Sequence, residues 1–333
     1  HWAMRVVAAP DKFKGTATAA DVAGTVAAVA AAKGWTCDEV PMADGGEGTL
    51  EVLGGPNRTT LVAGPLGDPI QAGWRLSRTQ AVIEMAAASG LDVVGGAEHN
   101  DPVSASTTGT GELISAALDA GARRILVGVG GSATTDGGLG ALRAIHPFPR
   151  LRGVELVVAC DVRTRFVDAA EEFAPQKGAT PSQVELLRRR LERLVQVYLE
   201  EHGVDVSDLI GGGAAGGLAG GLAAIGATVV PGFDLVADEV ALDEHIEGAD
   251  LVITGEGFLD EQSFDGKVVG GVAQMAASFG VPVLAVVGAV YDGVDAELGD
   301  GLEVVSLEDR FGHERSMADP LGCIAEVVGE RLG

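Results

Sequence analysis

Residues 128–140 read GVGGSATTDGGLG. They follow the apolar run Ile125-Leu126-Val127 and lead into Ala141-Leu142-Arg143-Ala144, so a strand, a glycine-rich turn and a helix start are expected in that order. Six of the thirteen residues are glycine, which lets the backbone turn with positive φ and lets a ligand come close to the main chain. Gly131, Ser132, Thr134, Asp136 and Gly137 are the candidate contacts. Amides at a helix start favour anions, and hydroxyls beside one carboxylate suit a phosphate with its metal ion. Taken alone, such a loop is equally well read as a tight connection in an α/β domain. The chain carries several loops of this kind, and that favours a site.

Composition narrows the class. A length of 333 residues allows two domains at about 150 residues each. Glycine, at 50 residues, is about twice the usual ~7%, yet it shows no collagen period and collects at expected strand–helix junctions. Aromatic residues make up only 4%, so the core is expected to be Val, Leu, Ile and Ala. The formal charge of −25, with no basic block, argues against nucleic acid or an anionic membrane as partner. Anionic substrates would need local lysines, backbone amides and a divalent cation to overcome that field. Cys37, Cys160 and Cys323 are odd in number and far apart, which favours reduced thiols and a cytoplasmic protein over a disulfide framework or zinc. His1-Trp2-Ala3 precede Met4 and read as a tag remnant; no signal peptide is expected after them, and no uninterrupted apolar run reaches the ~18 residues of a spanning helix.

Working outward from the glycine loop, both ends of the chain read as βαβ material. Arg5–Ala9 is a buried-type strand, Thr18 with Asp21 caps a helix that Gly34 stops, and Thr36–Met42 is a second strand. Strands are expected at Gln71–Leu76 and Gln80–Met85, and a helix from Glu112. Thr180-Pro181-Ser182-Gln183 is a capping box opening an amphipathic helix with Val184, Leu187, Leu191, Leu194 and Tyr198 on one face. A second strand–loop–helix–strand unit runs from Asp250 to Gly288, with a last strand at Glu303–Ser306 and a helix from about Pro320. The expectation is an α/β protein with a discontinuous, Rossmann-like, doubly wound core domain, 1–63 plus 249–333, and a second α/β domain inserted at 64–248.

The order of motifs resembles one family closely. PDKFKG (10–15), PMADGGEGT (41–49), DPVSASTTGTGELI (101–114), GVGGSATTDGGLGALRA (128–144), ACDV (159–162), FAPQKGAT (173–180), GGGAAGGLAGGL (211–222) and LVITGEGFLD (251–260) followed by Gly266-Lys267 are similar to the bacterial glycerate kinases. The resemblance spans nearly the whole chain. It implies ATP-dependent phosphorylation of D-glycerate with Mg²⁺, in two α/β domains with the active site in a cleft between them, in a monomer or homodimer. Three departures stand out. Lys12 stands where the family usually has Ser, the segment from Ala144 to Gly153 is short, and Val162–Glu172 replaces the familiar run after Asp161.

Phosphoryl transfer needs positioning, cations, amide donors and a metal-holding carboxylate. No GxxxxGK[ST] occurs, which excludes a P-loop enzyme, and no GxGxxG follows the first strand, which counts against a dinucleotide oxidoreductase. Ser132 lacks the GxSxG context of a hydrolase nucleophile. Lys14, beside Asp11, is the candidate for gripping the substrate carboxylate or the moving phosphoryl group. Asp44 and Glu47 flank Gly45-Gly46; they hold Mg²⁺, accept the substrate hydroxyl proton, or cap the next helix. Asp136 is a candidate general base or metal ligand, and Asp161, at a strand terminus, is a catalytic candidate with helix capping as its rival. Gln176 and Lys177 contact nucleotide phosphates or form a turn. Glu256, Asp260 and Lys267 follow a buried strand and read as phosphate- or metal-binding, with Glu256 and Asp136 as the metal candidates. Residues 211–221 form either an anion-binding nest or a close-packing stripe. The rival functions are a kinase for another small hydroxy acid and a silent nucleotide-binding protein.

Overall fold

The computed structural model describes residues 3–291 and 299–333; His1 and Trp2, read above as a tag remnant, lie outside them. The chain forms two compact units, His1–Asp44 with Phe233–Gly333, and Gly45–Gly232.

The first unit opens with β1 (Arg5–Ala8), the helix Ala19–Ala32 and β2 (Thr36–Glu39). Thr18 and Asp21 form the expected capping box: the Asp21 N–H donates to Thr18 Oγ1 at 3.0 Å and the Thr18 N–H to Asp21 Oδ2 at 3.2 Å. Strand β2 is shorter than the expected Thr36–Met42. Its pairing nevertheless continues, because the Val40 and Met42 N–H groups donate to the Ala8 and Pro10 carbonyls at 2.8 Å.

The second unit builds a six-stranded sheet whose spatial order follows the sequence: β3 (Arg58–Ala63), β4 (Pro69–Ser77), β5 (Gln80–Glu84), β6 (Arg124–Gly128), β7 (Glu155–Cys160) and β8 (Thr228–Pro231). The first three strands pair antiparallel and the rest parallel. The parallel crossovers carry the helices Thr108–Asp119, Leu139–Ile145, Pro181–His202 and Ala214–Ala224. Thr180 and Gln183 cap Pro181–His202 as their spacing predicts. Its Leu187, Leu191 and Tyr198 are buried in the same core as Phe166 and the sheet residues Ile125, Val127 and Val158.

The chain then returns to the first unit with β9 (Leu251–Leu259), β10 (Val283–Val290), β11 (Leu302–Ser306) and the helix Pro320–Arg331. This sheet is parallel throughout, in the order β2-β1-β9-β10-β11. Alternate residues of β10 serve two cores: Leu284 and Val286 pack with Val22, Val26, Ile324 and Val327, while Ala285 and Val287 pack with Val269. Helices therefore cover both faces, which is the doubly wound arrangement the continuous apolar strands require. Strand order reverses between β1 and β9. At such a switch point the loops at the carboxyl ends of the strands leave a crevice that takes ligands.

The unit boundaries differ from the expected 63/64 and 248/249; they fall at 44/45 and 232/233. Residues 58–63 were counted with the first domain, but they pair with β4 across the whole register from Arg58–Trp74 to Ala63–Pro69. Residues 233–248 were counted with the insertion, but Arg5 donates to the His245 carbonyl at 2.8 Å, and His245 Nδ1 and Asp38 Oδ2 lie 3.0 Å apart. Neither tie is visible in hydrophobic periodicity: the first is a pairing between neighbouring strands and the second joins residues more than 200 apart in the chain.

Candidate active site

In the first unit the candidate residues gather at the switch point. The Ala9 and Asp11 N–H groups donate to the Ile253 and Gly255 carbonyls at 2.8 and 2.9 Å, which fixes the chain after β1 against β9. A Cβ on Gly255 would stand 2.1 Å from the Val286 carbonyl oxygen, so β9 and β10 approach this closely only with glycine there. Glu256 lies on β9 itself, not in a loop after it as expected.

Asp11 and Glu256 are 7% and 8% exposed. Burial pushes the Asp11 carboxyl up to about 7; Lys12 pulls it back, Asp44 raises it further, and Lys267 opposes. Burial likewise pushes Glu256 to about 7; a Ser263 hydrogen bond and Lys267 oppose, while Asp11 and Asp260 add to the rise. Two buried acids that feel one another resist being charged together unless cations compensate. Lys12 supplies one, its Nζ 3.9 Å from Asp11 Oδ1, with its own N–H donating to the same oxygen at 2.7 Å. Glu256 Oε1 is buried without a hydrogen-bond partner. That orphaned oxygen is an acceptor suited to a cation or a proton.

The remaining first-unit candidates divide. Asp44 is buried beside Asp11's field. Phe13 is buried and its carbonyl accepts from the Thr16 and Ala17 N–H groups, a turn that leaves Lys14 exposed. Asp260 is a cap: it accepts from the Ser263 N–H at 3.1 Å and its own N–H donates to Ser263 Oγ at the same distance. Asp260 thereby fixes the turn Glu261–Phe264. Lys267 stands at the N-cap of the helix Val268–Ser278, where free amides and an ammonium both favour an anion.

In the second unit the glycine loop follows β6. It is strapped to the segment after β5, with the Leu91 N–H on the Gly131 carbonyl at 2.8 Å and the Ala133 N–H on Ser89 at 2.9 Å; Ser132 is buried in that bridge. Asp136 is a clamp. Its Oδ2 accepts from the Thr107 N–H and Oγ1 at 2.9 Å and from the Gly140 N–H at 3.1 Å, and its Oδ1 from the Gly138 N–H at 3.1 Å. A carboxylate engaged by four donors is held in place by the loop it closes, so the geometry gives Asp136 a positioning duty.

Lys177 is buried, and its Nζ donates to the Thr134 carbonyl at 2.6 Å. Burial lowers its pKa to about 7, with Asp136 acting in the opposite sense. Asn100 donates to the Ala133 and Lys177 carbonyls at 3.0 and 2.9 Å. Thr134 Oγ1, Thr135 Oγ1 and Asn100 Oδ1 are buried and unpartnered. Asn100 and Thr107 carry no signal in the sequence, because a lone amide and a lone hydroxyl have no spacing of their own, whereas Thr135 belongs to the hydroxyl-bearing glycine loop. Gln176 and Glu47 are exposed, and Asp161 is half-buried directly after β7. Gly45, at φ +94, has room for no side chain, since a Cβ would stand 2.8 Å from Gly232 Cα; Gly46 beside it is half-buried.

The 211–221 stripe packs. Ala215, Gly216 and Gly217 all have positive φ, and a Cβ on Gly216 would lie 1.9 Å from the Thr134 carbonyl oxygen. The Gly137 N–H donates to the Gly216 carbonyl at 2.9 Å. Of the two readings of this stripe, close approach to the glycine loop accounts for the geometry.

The sequence profile described as the glycerate kinase family matches residues 6–147 and 145–320. The chain belongs to the glycerate kinase family. Glycerate 2-kinase of Escherichia coli (strain K12) is 38% identical over 347 aligned positions, covering 91% of this chain and 90% of that protein. Glycerate kinase of Bacillus subtilis (strain 168) is 38% identical over 358 positions, covering 93% and 94%. A crystal structure described as a glycerate kinase 2 from Salmonella typhimurium LT2 superposes with a TM-score of 0.83 at 35% identity, covering 99% of this chain and 97% of that one. Membership in the glycerate kinase family makes the chain a phosphotransferase with an alcohol group as acceptor, on the two-sheet α/β fold described above. Both alignments are longer than the 333 residues here, so the relatives carry residues with no counterpart in this chain. The two pieces of the family match meet at 145–147, inside the segment whose shortness was noted in the sequence.

Proposed function

We propose that this chain transfers the γ-phosphoryl group of ATP to a hydroxyl of D-glycerate, with the 2-hydroxyl slightly favoured as acceptor. The observation that carries the reading is the pair of buried acids at the switch point, Asp11 and Glu256, set among Lys12 and Lys267. Such a cluster suits polyanionic substrates brought in with a cation. The relatives' names support glycerate, and the Escherichia coli relative's name supports the 2-position.

Among the described residues no three His, Cys, Asp or Glu side chains form a ready metal cage. Glu256 with Asp11 fits Mg²⁺ all the same, since that ion commonly takes one or two carboxylates and completes its shell with phosphate oxygens and water; when bound it neutralises phosphate charge. Lys14, Lys12 and Lys267 stabilise charge on the transferred group. Asp44 orients or accepts the proton of the attacking hydroxyl. Loop amides between residues 131 and 136 other than that of Ala133, whose N–H is already engaged, hold phosphate oxygens, with Lys177 and Asp136 keeping that loop in shape. A cytoplasmic location is supported by three free cysteines, and no helix among the described residues is long and apolar enough to cross a membrane.

The deciding experiment is an ATP/Mg²⁺ assay on D-glycerate with the product read by phosphorus NMR. Formation of 2-phosphoglycerate is expected. Formation of 3-phosphoglycerate corrects the position alone; no turnover, with ATP still raising Tm, sinks D-glycerate as substrate and directs attention to another hydroxy acid, for which the replaced loop Val162–Glu172 is the first place to look.

A further inference from the structure

A cavity of about 560 Å³ opens in the second unit, lined by the helix Leu139–Ile145, the residues after it as far as Phe148, and the last turns of Pro181–His202. Its size falls within the ~300–1,000 Å³ of small-molecule sites. The apolar wall residues include Leu142, Leu194, Val197 and the Phe148 ring, and the lining also carries Arg143, His146 and His202. Both imidazoles meet Phe148 edge-on, with ring centroids 5.5 and 5.2 Å away. The one acid in the lining, Glu201, is itself 3.9 Å from His202 Nε2.

Arg143 is the one guanidinium of the lining, and it is exposed. In a chain with 48 acids against 23 Lys and Arg, its guanidinium has no ion-pair or hydrogen-bond partner among the described residues. A guanidinium offers two parallel donors matched to a carboxylate. The cavity also lies where this chain departs from its family. The two pieces of the family match meet at 145–147, between Arg143 and Phe148. The short segment there is part of the lining.

We propose that this cavity binds a small organic acid with an apolar body, its carboxylate on Arg143 with the two imidazoles beside it, and its body against Leu142, Phe148, Leu194 and Val197. Tyr198 shares the lining and donates its hydroxyl to the Gly137 carbonyl at 2.7 Å. An occupant therefore touches a side chain anchored to the glycine loop.

Saturation-transfer NMR with benzoate, and with benzyl alcohol as the uncharged counterpart, tests the site. Benzoate is expected to bind saturably, at least about tenfold more tightly than benzyl alcohol, and to lose about tenfold or more in Arg143→Gln. Val197→Glu, which puts a carboxylate on the apolar wall, is expected to remove binding while circular dichroism stays native. Absence of a saturable benzoate signal, equal binding of the two probes, or binding unchanged in either variant overturns the proposal. Binding is read directly, so the result is independent of whether glycerate is the kinase substrate.

Discussion

At the scale of single residues, two carboxylates near the proposed chemistry have different jobs. Asp136 accepts four hydrogen bonds inside its own unit, whereas Asp44 is buried in the field of Asp11. Asp44→Asn is expected to lower kcat by roughly 10²–10⁴-fold with Tm unchanged. Asp136→Asn turns an amide NH₂ toward backbone donors, so it is expected to cost about 1–3 kcal/mol of stability and to lose activity along with it. Urea melts beside steady-state rates separate the two, and a stable, inactive Asp136→Asn would assign Asp136 the duty of a base. Lys177 gives a pH signature. Its pKa falls from 10.5 to about 7 on burial, so between those values the unfolded chain holds a proton that the folded chain has released. Stability then rises with pH across that window, and the penalty is complete below about 7. Lys177→Met should flatten the rise; equal slopes in urea melts from pH 7 to 10 would rule the effect out.

At the scale of elements, the glycine loop owes its shape to what packs beneath it. Phe166 is fully buried, its ring 2.4 Å from where a Cβ on Gly220 would stand and 2.9 Å from one on Gly217. The glycines of the helix Ala214–Ala224 therefore make room for an aromatic ring that comes from the replaced segment after Asp161. Phe166→Ala is expected to cost about 3–5 kcal/mol, measured by chemical denaturation, because the backbone above it cannot collapse into the space. A loss below about 1 kcal/mol would mean that this layer relaxes freely. Among strands, β9 does what a sequence reader assigns to a loop: it continues through Gly255 and carries Glu256 within the sheet.

At the scale of the whole molecule, charge opposes the substrates. A formal charge of −25 repels ATP and glycerate at distances that salt screens, while the local lysines act at contact range. Raising ionic strength from about 20 to 200 mM, which shortens the screening length roughly threefold, is expected to raise kcat/KM for glycerate. A fall across a sodium chloride series would show that local lysines govern encounter instead.

Much of the architecture follows from the sequence because its causes are local. The capping boxes at Thr18 and Thr180 and the apolar runs of β6, β9 and β10 each lie within a few residues of their effect. The order of glycine-rich motifs likewise marks the family before any coordinate is known. Only tertiary structure decided the rest. The strand Arg58–Ala63 went to the second sheet through its register with β4, and residues 233–248 joined the first unit through Arg5 and Asp38. Asp136 became a clamp because Thr107, 29 residues earlier in the chain, folds onto it. Glu256 and Asp11 acquired raised pKa values because strands 245 residues apart lie side by side and shut out water. Composition and periodicity record which residues seek burial; hydrogen bonds and electrostatic fields depend on which distant residues meet, and that is set by the folded chain.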